Sequence, residues 1–492
     1  MKLVGITGSG STTLYAPTII YEGAEEDAKE EQLVLIIDNK RGMKYLGVLR
    51  NVKRYEPFLN IYRRTSFVDN PALADTGTLP HTSAYISLIG ILDEDGRLSE
   101  AQLPPNPGSK VYIIQGAEDL KLELGSGLII GSHKYSEISI PLNPNGLAYH
   151  IAVIGATGTG KSRLVKALID EILAKTSYKV LVFDHSGLDY TPYYKENTIS
   201  SSNITLDLSL ISDLILERTG LDTRIYEQYV TLSVLLYLYN EIFAKAGKGS
   251  LKHHGLSSIL NIDFKELHKK MAEEGIAWNP IEFKKYIVQA VDELRGREST
   301  KVRLCVAVDI KLGSSFFRSI SNRKLLPQQV IELLEEKKLI VVDLSSEDMI
   351  VRRYIVATII SEIWRRIEES REPVNIVIVI DEAHNYACRY CGEAHKLISK
   401  IAREGRKWKL GLILATQRAV DIDPEIRGNI NTWIFSKLQT PSDFNEITAY
   451  MNLAGLTESS LAILGKREFY IAGLMNPLNI PILIKVREVK KV

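Results

Sequence analysis

Cysteine is scarce in this chain, and so are long uninterrupted apolar runs. The three cysteines, Cys305, Cys388 and Cys391, are too few and odd in number for the disulfide framework of a secreted protein, so we expect a reducing compartment. The first residues also lack the continuous apolar segment of a signal peptide. The most apolar helical stretch, 228–240, is about half of the ~20 residues that span a bilayer. We therefore predict a cytoplasmic protein with no transmembrane segment and no membrane partner.

An excess of charge of either sign is missing as well. Lys and Arg number 61 and Asp and Glu number 60, which gives a net charge of +1. Such a balance provides no overall attraction to nucleic acid or anionic lipid, so any polyanion must bind at a local patch. The composition, 45% hydrophobic and 25% charged, is typical of a globular protein and excludes disordered and collagen-like classes. At roughly 100–200 residues per domain, the length predicts about two to four domains.

The first 145 residues have the pattern of a small β-barrel. Short β-rich runs with alternating apolar residues are separated by Gly, Pro and Asn, which favour turns. These runs lie at 32–38, 44–49, 84–90, 111–114 and 127–131. We predict an N-terminal β-barrel domain over 1–145.

The rest of the chain has an α/β pattern with one interruption. A strand at 150–154, a helix at 160–175 and a strand at 180–183 form a βαβ unit, which indicates a parallel sheet covered by helices. Apolar residues then recur at helical spacing over 211–330, which predicts a helical insertion. The β/α alternation resumes with strands at 339–344, 376–380, 411–415 and 432–436. We predict one α/β core in two parts, 146–210 and 331–492, the second with a C-terminal extension.

A phosphate-binding loop follows the strand at 150–154. The full G-x-x-x-x-G-K-[ST] pattern is present, and it lies between an apolar strand and an amphipathic helix, as the motif requires. Its residues are Gly155, Ala156, Thr157, Gly158, Thr159, Gly160, Lys161 and Ser162. Glycines let backbone N–H groups turn toward a polyphosphate. Lys161 would reach the β- and γ-phosphates of ATP, and Ser162 would ligate Mg²⁺.

Acidic and amide residues end two further strands. The apolar run 376–380 is typical of a strand buried on both faces and delivers Asp381 and Glu382 at its carboxyl end, where open α/β sheets bind ligands. We predict that Asp381 holds Mg²⁺ and that Glu382 orients or deprotonates the attacking water. Gln417 follows the run 411–415 and either contacts the γ-phosphate or faces solvent. Arg406 is either an arginine finger for a neighbouring subunit or a charge that compensates a helix dipole.

Together these motifs resemble the HerA branch of the HerA/FtsK translocases. The resemblance rests on 155–162, on the Asp-Glu-Ala-His box at 381–384, on Glu-Gly-Arg-Lys at 404–407 and on Ala-Thr-Gln-Arg at 415–418. It runs over essentially the whole chain, which is archaeal in style. It implies a RecA-like P-loop NTPase core behind the barrel, with Asp184 lining the site.

The function that this resemblance implies is that of a DNA motor. HerA-family proteins are homohexameric rings that pump double-stranded DNA with Mg-ATP and work with the nuclease NurA in DNA end resection, near Mre11–Rad50. The barrel resembles the collar that faces this nuclease. Two alternatives stay open: a conjugation- or secretion-type DNA pump of the same superfamily, and a nucleotide-gated clamp or scaffold for a nuclease.

Three other segments leave alternatives open. One is a candidate zinc set made of His384, Cys388, Cys391 and His395, although a single helix would spread these residues over roughly 16 Å. The alternative is that His384 contacts the acidic box and that the two cysteines pack in the core or are redox-active. The basic segment 311–324 lacks helical periodicity and is either a DNA-tracking pore loop or a solvated loop. The C-terminal run 477–487 is either an edge strand or a brace on an adjacent subunit, with Arg487 near the shared nucleotide.

Overall fold

The structure is a computed structural model that describes residues 1–56, 59, 64–70, 72, 81–244 and 264–489. The chain divides into two units. The first contains Met1–Tyr178, Glu382–His384 and Ile401–Lys491, and the second contains Lys179–Asp381 and Asn385–Lys400. Residues 245–263 of the predicted helical insertion lie outside the described residues.

The elements are numbered in chain order. The strands are β1 Lys2–Thr7, β2 Tyr15–Ile20, β3 Leu33–Asp38, β4 Met43–Tyr55, β5 His81–Leu92, β6 Leu98–Ser99, β7 Lys110–Ile113, β8 Leu128–His133, β9 Ser139–Leu142, β10 Ile151–Ile154, β11 Lys179–Asp184, β12 Thr198–Ser200, β13 Leu339–Asp343, β14 Ile376–Ile380, β15 Leu410–Thr416, β16 Thr432–Phe435, β17 Glu468–Gly473 and β18 Ile482–Val486. The α-helices are α1 Ser66–Asp69, α2 Lys161–Lys175, α3 Leu208–Thr219, α4 Thr223–Tyr239, α5 Phe264–Glu274, α6 Pro280–Glu293, α7 Glu298–Ala307, α8 Gly313–Ile320, α9 Pro327–Lys337, α10 Met349–Ser370, α11 Gly392–Glu404, α12 Pro424–Arg427, α13 Pro441–Tyr450 and α14 Glu458–Ala462.

The first unit begins with the predicted barrel. Its strands pair antiparallel in the order β2-β1-β7-β3-β4-β5, and the ring closes because β2 also pairs with β5. Alternate residues of these strands point inward and form a core that includes Val4, Val34, Tyr45 and Ile86. Arg50, on β4, is 2% exposed and bonds Glu31 at 3.0 Å as well as the carbonyl oxygens of Ala454 and Pro481, both at 2.6 Å. The barrel is therefore tied to the C-terminal part of its own unit.

The second sheet of the first unit has the order β15-β10-β16-β17-β18-β8-β9. The strands β15, β10 and β16 are parallel, and the strands from β17 to β9 pair antiparallel. The strand predicted at 127–131 forms as β8, but it pairs with β18 and not with the barrel. Consequently β18 is an internal strand, so the expectation of a C-terminal edge strand is wrong.

The second unit carries a parallel sheet and most of the helices. The sheet order is β12-β13-β11-β14, and all five residues of β14 are buried, as the apolar run predicts. Between β12 and β13 the described chain is mainly helical, from α3 to α9. The basic segment 311–324 belongs to this region. It contains α8, which buries Phe316, Phe317 and Ile320, so the prediction that it lacks helical structure is wrong.

The α/β class, the N-terminal small β-barrel and the helical insertion are therefore confirmed. The predicted core strands also form, within two residues of their expected bounds. Within the described part of the chain, none of the helices combines the length and the apolar character needed to cross a bilayer.

Candidate functional site

The phosphate-binding loop joins β10 to α2 in the first unit. Gly158 and Gly160 have φ values of 83° and 105°, in the left-handed region that glycine adopts without strain. The first turn of α2 has no side-chain cap and no acidic residue, so its N-terminal amides meet neither a capping oxygen nor a repelling carboxylate. Lys161 Nζ lies 2.8 Å from the carbonyl oxygen of Gly155, so its charge lies over the loop. These features fit a polyphosphate.

Two neighbouring segments support this loop. The amide of Ala156 donates to the carbonyl oxygen of Lys437, just beyond β16, at 2.7 Å. The amide of Arg467, just before β17, donates to the carbonyl oxygen of Thr159 at 2.8 Å. Within the loop, Thr159 Oγ1 donates to the carbonyl oxygen of Ala156 at 2.8 Å. The shape of the loop is therefore held by strand ends that are far from it in sequence.

Glu382 lies beside this loop in the first unit; a side chain donates to its Oε1, and its buried Oε2 has a histidine nearby but accepts no hydrogen bond from the described part of the chain. The chain turns at this residue with a φ of 45°. Gln417 Nε2 donates to Glu382 Oε1 at 3.1 Å, and His384 Nδ1 lies 3.3 Å from Glu382 Oε2. His384 Nδ1 also lies 3.3 Å from Thr416 Oγ1. The expectation that His384 is a local contact of the acidic box is confirmed.

Gln417 connects Glu382 to the phosphate-binding loop. Its Oε1 accepts a hydrogen bond from Thr157 Oγ1 at 3.0 Å and another from Gln439 Nε2 at 3.1 Å. Because a carboxylate is an acceptor only, the amide group of Gln417 must face Glu382, and the two donors on Oε1 agree with that orientation. The structure thus brings Thr157, Gln417 and Glu382 together, as the strand-end argument predicts.

Asp184 ends β11 in the second unit and organises the loop that follows. It is fully buried and accepts hydrogen bonds from the amides of Gly187 at 3.0 Å, Tyr190 at 3.0 Å and Thr191 at 2.9 Å. These contacts give Asp184 a structural role in shaping the loop. Its contribution to nucleotide binding stays a prediction.

Asp381 lies at the end of β14, next to β11 in the same unit. It is 5% exposed, and its amide donates to the carbonyl oxygen of Phe183 at 3.2 Å. Burial, and then the charges of Asp381, Asp189 and Asp184, raise the pKa of the nearby Tyr190 phenol well above its usual range. The carboxyl ends of these strands therefore form an electronegative environment of the kind that a cation stabilises. The role of Asp381 as a Mg²⁺ ligand stays a prediction.

Arg406 follows α11 and is exposed. Its guanidinium carbon lies 4.5 Å from the centre of the Tyr149 ring, a cation–π contact. In the described parts of the chain, no carboxylate is seen in an ion pair with Arg406. Its charge is therefore exposed to solvent and is not neutralised by a carboxylate of the described residues, as an arginine finger requires. The finger role itself stays a prediction.

His150, immediately before β10, anchors the frame of this site. It is 2% exposed; its Nε2 lies 3.1 Å from the carbonyl oxygen of Ala402 in α11, and its Nδ1 accepts from the amide of Leu412 in β15 at 3.2 Å. One neutral tautomer satisfies both contacts. Burial lowers the pKa of His150 to about 4. His150 thereby links the phosphate-loop strand to the helix that precedes Arg406.

The predicted zinc set does not form. Cys388 and Cys391 are joined in a disulfide with their Cα atoms 5.2 Å apart, so their sulfurs are not thiolate ligands. His384 contacts Glu382, and His395 Nε2 lies 3.3 Å from Ser399 Oγ. No group of three or more His, Cys, Asp or Glu side chains suited to a metal ion occurs among the described residues. Of the two alternatives, the zinc set is therefore contradicted, and the contact of His384 with the acidic box is the one that forms.

Sequence reasoning missed three residues around the loop. Gln439 follows β16 at the carboxyl end of a parallel strand, and the same rule that identified Gln417 would have identified it. Arg467 and Lys437 contact the loop through backbone atoms, which carry no side-chain signal in the sequence. Arg487, expected near a shared nucleotide, lies 3.4 Å from Glu171 of its own α2.

Comparison with protein families and known proteins gives consistent results. The family described as "Helicase HerA, central domain" matches residues 128–363. The chain is 28% identical over 500 residues to the DNA double-strand break repair helicase HerA of Sulfolobus acidocaldarius, covering 97% of this chain and 92% of the relative. It is 25% identical to the protein of the same name from Saccharolobus solfataricus, covering 92% of this chain and 86% of the relative.

Among solved structures, VirB4 of Thermoanaerobacter pseudethanolicus is similar with a TM-score of 0.48 and 16% identity, covering 74% of this chain and 97% of VirB4. The plasmid coupling protein TrwB in complex with a non-hydrolysable GTP analogue is similar with a TM-score of 0.45 and 13% identity, covering 75% of this chain and 91% of TrwB.

Proposed function

The chain belongs to the HerA family of helicases, and from that premise we propose that it is an ATP-driven double-stranded DNA translocase that acts in DNA repair. In this proposal six copies form a ring, ATP binds at subunit interfaces, and a NurA-type nuclease is the partner in DNA end resection. The observation that carries the proposal is the hydrogen-bonded chain from Thr157 through Gln417 to Glu382.

This series of hydrogen bonds supports hydrolysis because it links the phosphate-binding loop, at Thr157, to Glu382, the residue that would activate water. Lys161 Nζ lies over the loop, 2.8 Å from the carbonyl oxygen of Gly155 and 3.5 Å from that of Ala156, where a phosphate oxygen would compete for its charge. Glu382 accepts the proton of an attacking water, and Gln417 keeps its carboxylate oriented. Bound Mg²⁺ would supply positive charge against the phosphate oxygens, and the sequence predicts Ser162 and Asp381 as its ligands.

The exposed position of Arg406 supports the ring. A guanidinium that stacks on Tyr149 and carries no ion pair within the described residues is available to a neighbouring subunit. Charge donated in this way to a phosphoryl group contributes about 10³-fold or more to turnover in related chemistry. Catalysis would then depend on assembly, as a motor with interface sites requires.

The test is ATP turnover with and without linear double-stranded DNA, with the molar mass of the particle recorded. Glu382→Gln removes the carboxylate that accepts the proton of water but keeps the shape of the side chain. We therefore expect turnover to fall about 10²-fold or more. The matched control is Glu393→Gln, an exposed glutamate of α11 whose ion pair within the described residues is with Lys396 on its own helix.

The motor proposal expects DNA to stimulate turnover in a particle of about six subunits. Turnover that continues in proportion to the length of the DNA would exclude a clamp that hydrolyses ATP once per loading event. Turnover that ignores DNA, or survives Glu382→Gln, would contradict the proposal.

A further inference from the structure

Gln439 contacts Gln417 from the side opposite Glu382. Its Nε2 donates to Gln417 Oε1 at 3.1 Å, whereas the Gln417 amide group donates to Glu382 Oε1 at 3.1 Å. The only other donor to Gln417 Oε1 given by the described residues is Thr157 Oγ1, at 3.0 Å. The direction of the Gln417 amide is therefore set by three contacts: the Glu382 carboxylate on its nitrogen, and two donors on its oxygen, one in the phosphate-binding loop and one outside it.

The two donors to Gln417 Oε1 differ in whether a bound phosphate competes for them. The Thr157 hydroxyl belongs to the loop that receives a polyphosphate, so phosphate oxygens compete with Gln417 for it. The Gln439 amide is outside the loop and keeps donating to Gln417 when that competition arises. Without it, the Glu382 carboxylate alone holds the Gln417 side chain, which then samples a wider range of its terminal torsion and is directed less closely at Glu382.

The segment that carries Gln439 is anchored on both sides. The carbonyl oxygen of Lys437 accepts from the amide of Ala156 at 2.7 Å. Asp443, fully buried in the first turn of α13, accepts from Thr440 Oγ1 at 2.7 Å and from the amide of Val420 at 3.3 Å. The backbone that carries Gln439 thus lies between a contact to the phosphate-binding loop and a contact to the loop that follows Gln417, and the exposed Gln439 side chain reaches Gln417 from this position.

We propose that Gln439 is a positioning residue for ATP hydrolysis: by donating to Gln417 Oε1, it keeps the Gln417 amide directed at Glu382 when the phosphate-binding loop is loaded. The proposal rests on the proposed function, since it concerns the same site. It assigns Gln439 no contact with ATP or water. Its effect passes through Gln417 alone.

The test compares two variants that remove the donor in different ways. Gln439→Ala deletes the amide, whereas Gln439→Glu keeps the shape but replaces the donor by an acceptor, which attracts the Gln417 amide group away from Glu382. Since one hydrogen bond contributes about 1 kcal/mol, we expect kcat to fall about fivefold in Gln439→Ala. We expect a larger fall in Gln439→Glu, with KM for ATP within about twofold of wild type in both.

The matched control is Gln328→Glu, the same change at an exposed glutamine of α9 whose amide bonds Glu332 at 3.2 Å. A second readout needs no turnover: the ratio of the Kd values for a non-hydrolysable ATP analogue and for ADP. If Gln417 senses the loading of the loop, Gln439→Glu should change this ratio by about threefold or more, and Gln328→Glu should leave it unchanged.

The order wild type above Gln439→Ala above Gln439→Glu in kcat, with an altered Kd ratio, supports the proposal. A wild-type kcat in Gln439→Glu overturns the proposal. Equal losses of kcat in both variants, with a raised KM or a lowered melting temperature, also overturn it, because they indicate that Gln439 has a structural role in its loop. If the wild type does not hydrolyse ATP, the proposed function fails by itself. The Kd ratio then decides the inference, and an unchanged ratio in Gln439→Glu overturns it.

Discussion

Acid should destabilise the first unit through His150, by an amount that the structure sets. Its pKa is about 4 in the folded protein, against 6.5 for an exposed histidine. Because the folded pKa is the lower one, the stabilisation is fully present above about pH 6.5 and is lost as pH falls toward about 4. A tenfold change in proton affinity equals about 1.4 kcal/mol, so the total is about 3 kcal/mol. About 2.5 kcal/mol of this should disappear between about pH 7.5 and about pH 4.5.

The assay is urea unfolding at the two pH values, followed by tryptophan fluorescence. Trp433, in β16, is fully buried and is paired in register with Ala152 of the strand that follows His150, so it reports on this region. His150→Asn removes the titration and keeps a polar side chain; because the backbone here has φ 64° and ψ 144°, each protein is compared with itself at the two pH values. The variant should lose about 2.5 kcal/mol less than wild type between the two conditions.

The control is His81→Asn, at a partly exposed position on the barrel, which should lose as much stability as wild type. His133 remains in every variant; burial lowers its pKa to about 4 as well, so part of the acid sensitivity should persist. An identical loss in wild type and His150→Asn would refute the reasoning, because it would mean that protonation of His150 is not linked to folding.

Two further changes test other parts of the structure. Arg50→Ala should lower the free energy of unfolding by about 3–5 kcal/mol, because it leaves the buried Glu31 carboxylate without its cation. Urea unfolding measures this loss. The double variant Arg50→Ala/Glu31→Gln should recover part of it. Arg406→Ala should reduce ATP turnover of the assembled particle about 10³-fold while nucleotide affinity stays near wild type, whereas Lys407→Ala, at the adjacent exposed cation, should turn over normally. A turnover near wild type in Arg406→Ala would remove the finger from the mechanism.

Much of the site could be predicted because its chemistry lies in short stretches of sequence. The phosphate-binding loop, the acid pair at 381–382 and Gln417 each sit at the end of a strongly apolar run, and parallel strands bring such ends to one edge of a sheet. In the structure Gln417 joins Glu382 to the loop, and its contact with the γ-phosphate stays a prediction. The apolar run 432–436 obeys the same rule, and the Gln439 that follows it is a site residue outside the sequence prediction.

Other features could not be predicted because they depend on which distant groups meet. The strand at 127–131 has the same alternation as the barrel strands, yet it pairs with β18, and alternation carries no information about a partner. The spacing of the cysteines and histidines left a zinc set and packed or redox-active cysteines as alternatives. The turn that brings Cys388 to Cys391 decides between them, and it is a property of the folded chain. In the basic segment 311–324, tertiary burial of Phe316 and Phe317 outweighs a weak local pattern.

The sequence by itself determined the α/β class, the barrel, the phosphate-binding loop and the resemblance to HerA, because each is encoded in local periodicity or in a contiguous motif. Only the tertiary structure decided the partners of individual side chains: His150 between α11 and β15, Arg50 on the carbonyl oxygens of 454 and 481, and Gln439 on Gln417. The physical reason is that hydrogen bonds and ion pairs are selected by distance and direction in space, and residues that are far apart in sequence acquire these only when the sheet and its loops have formed.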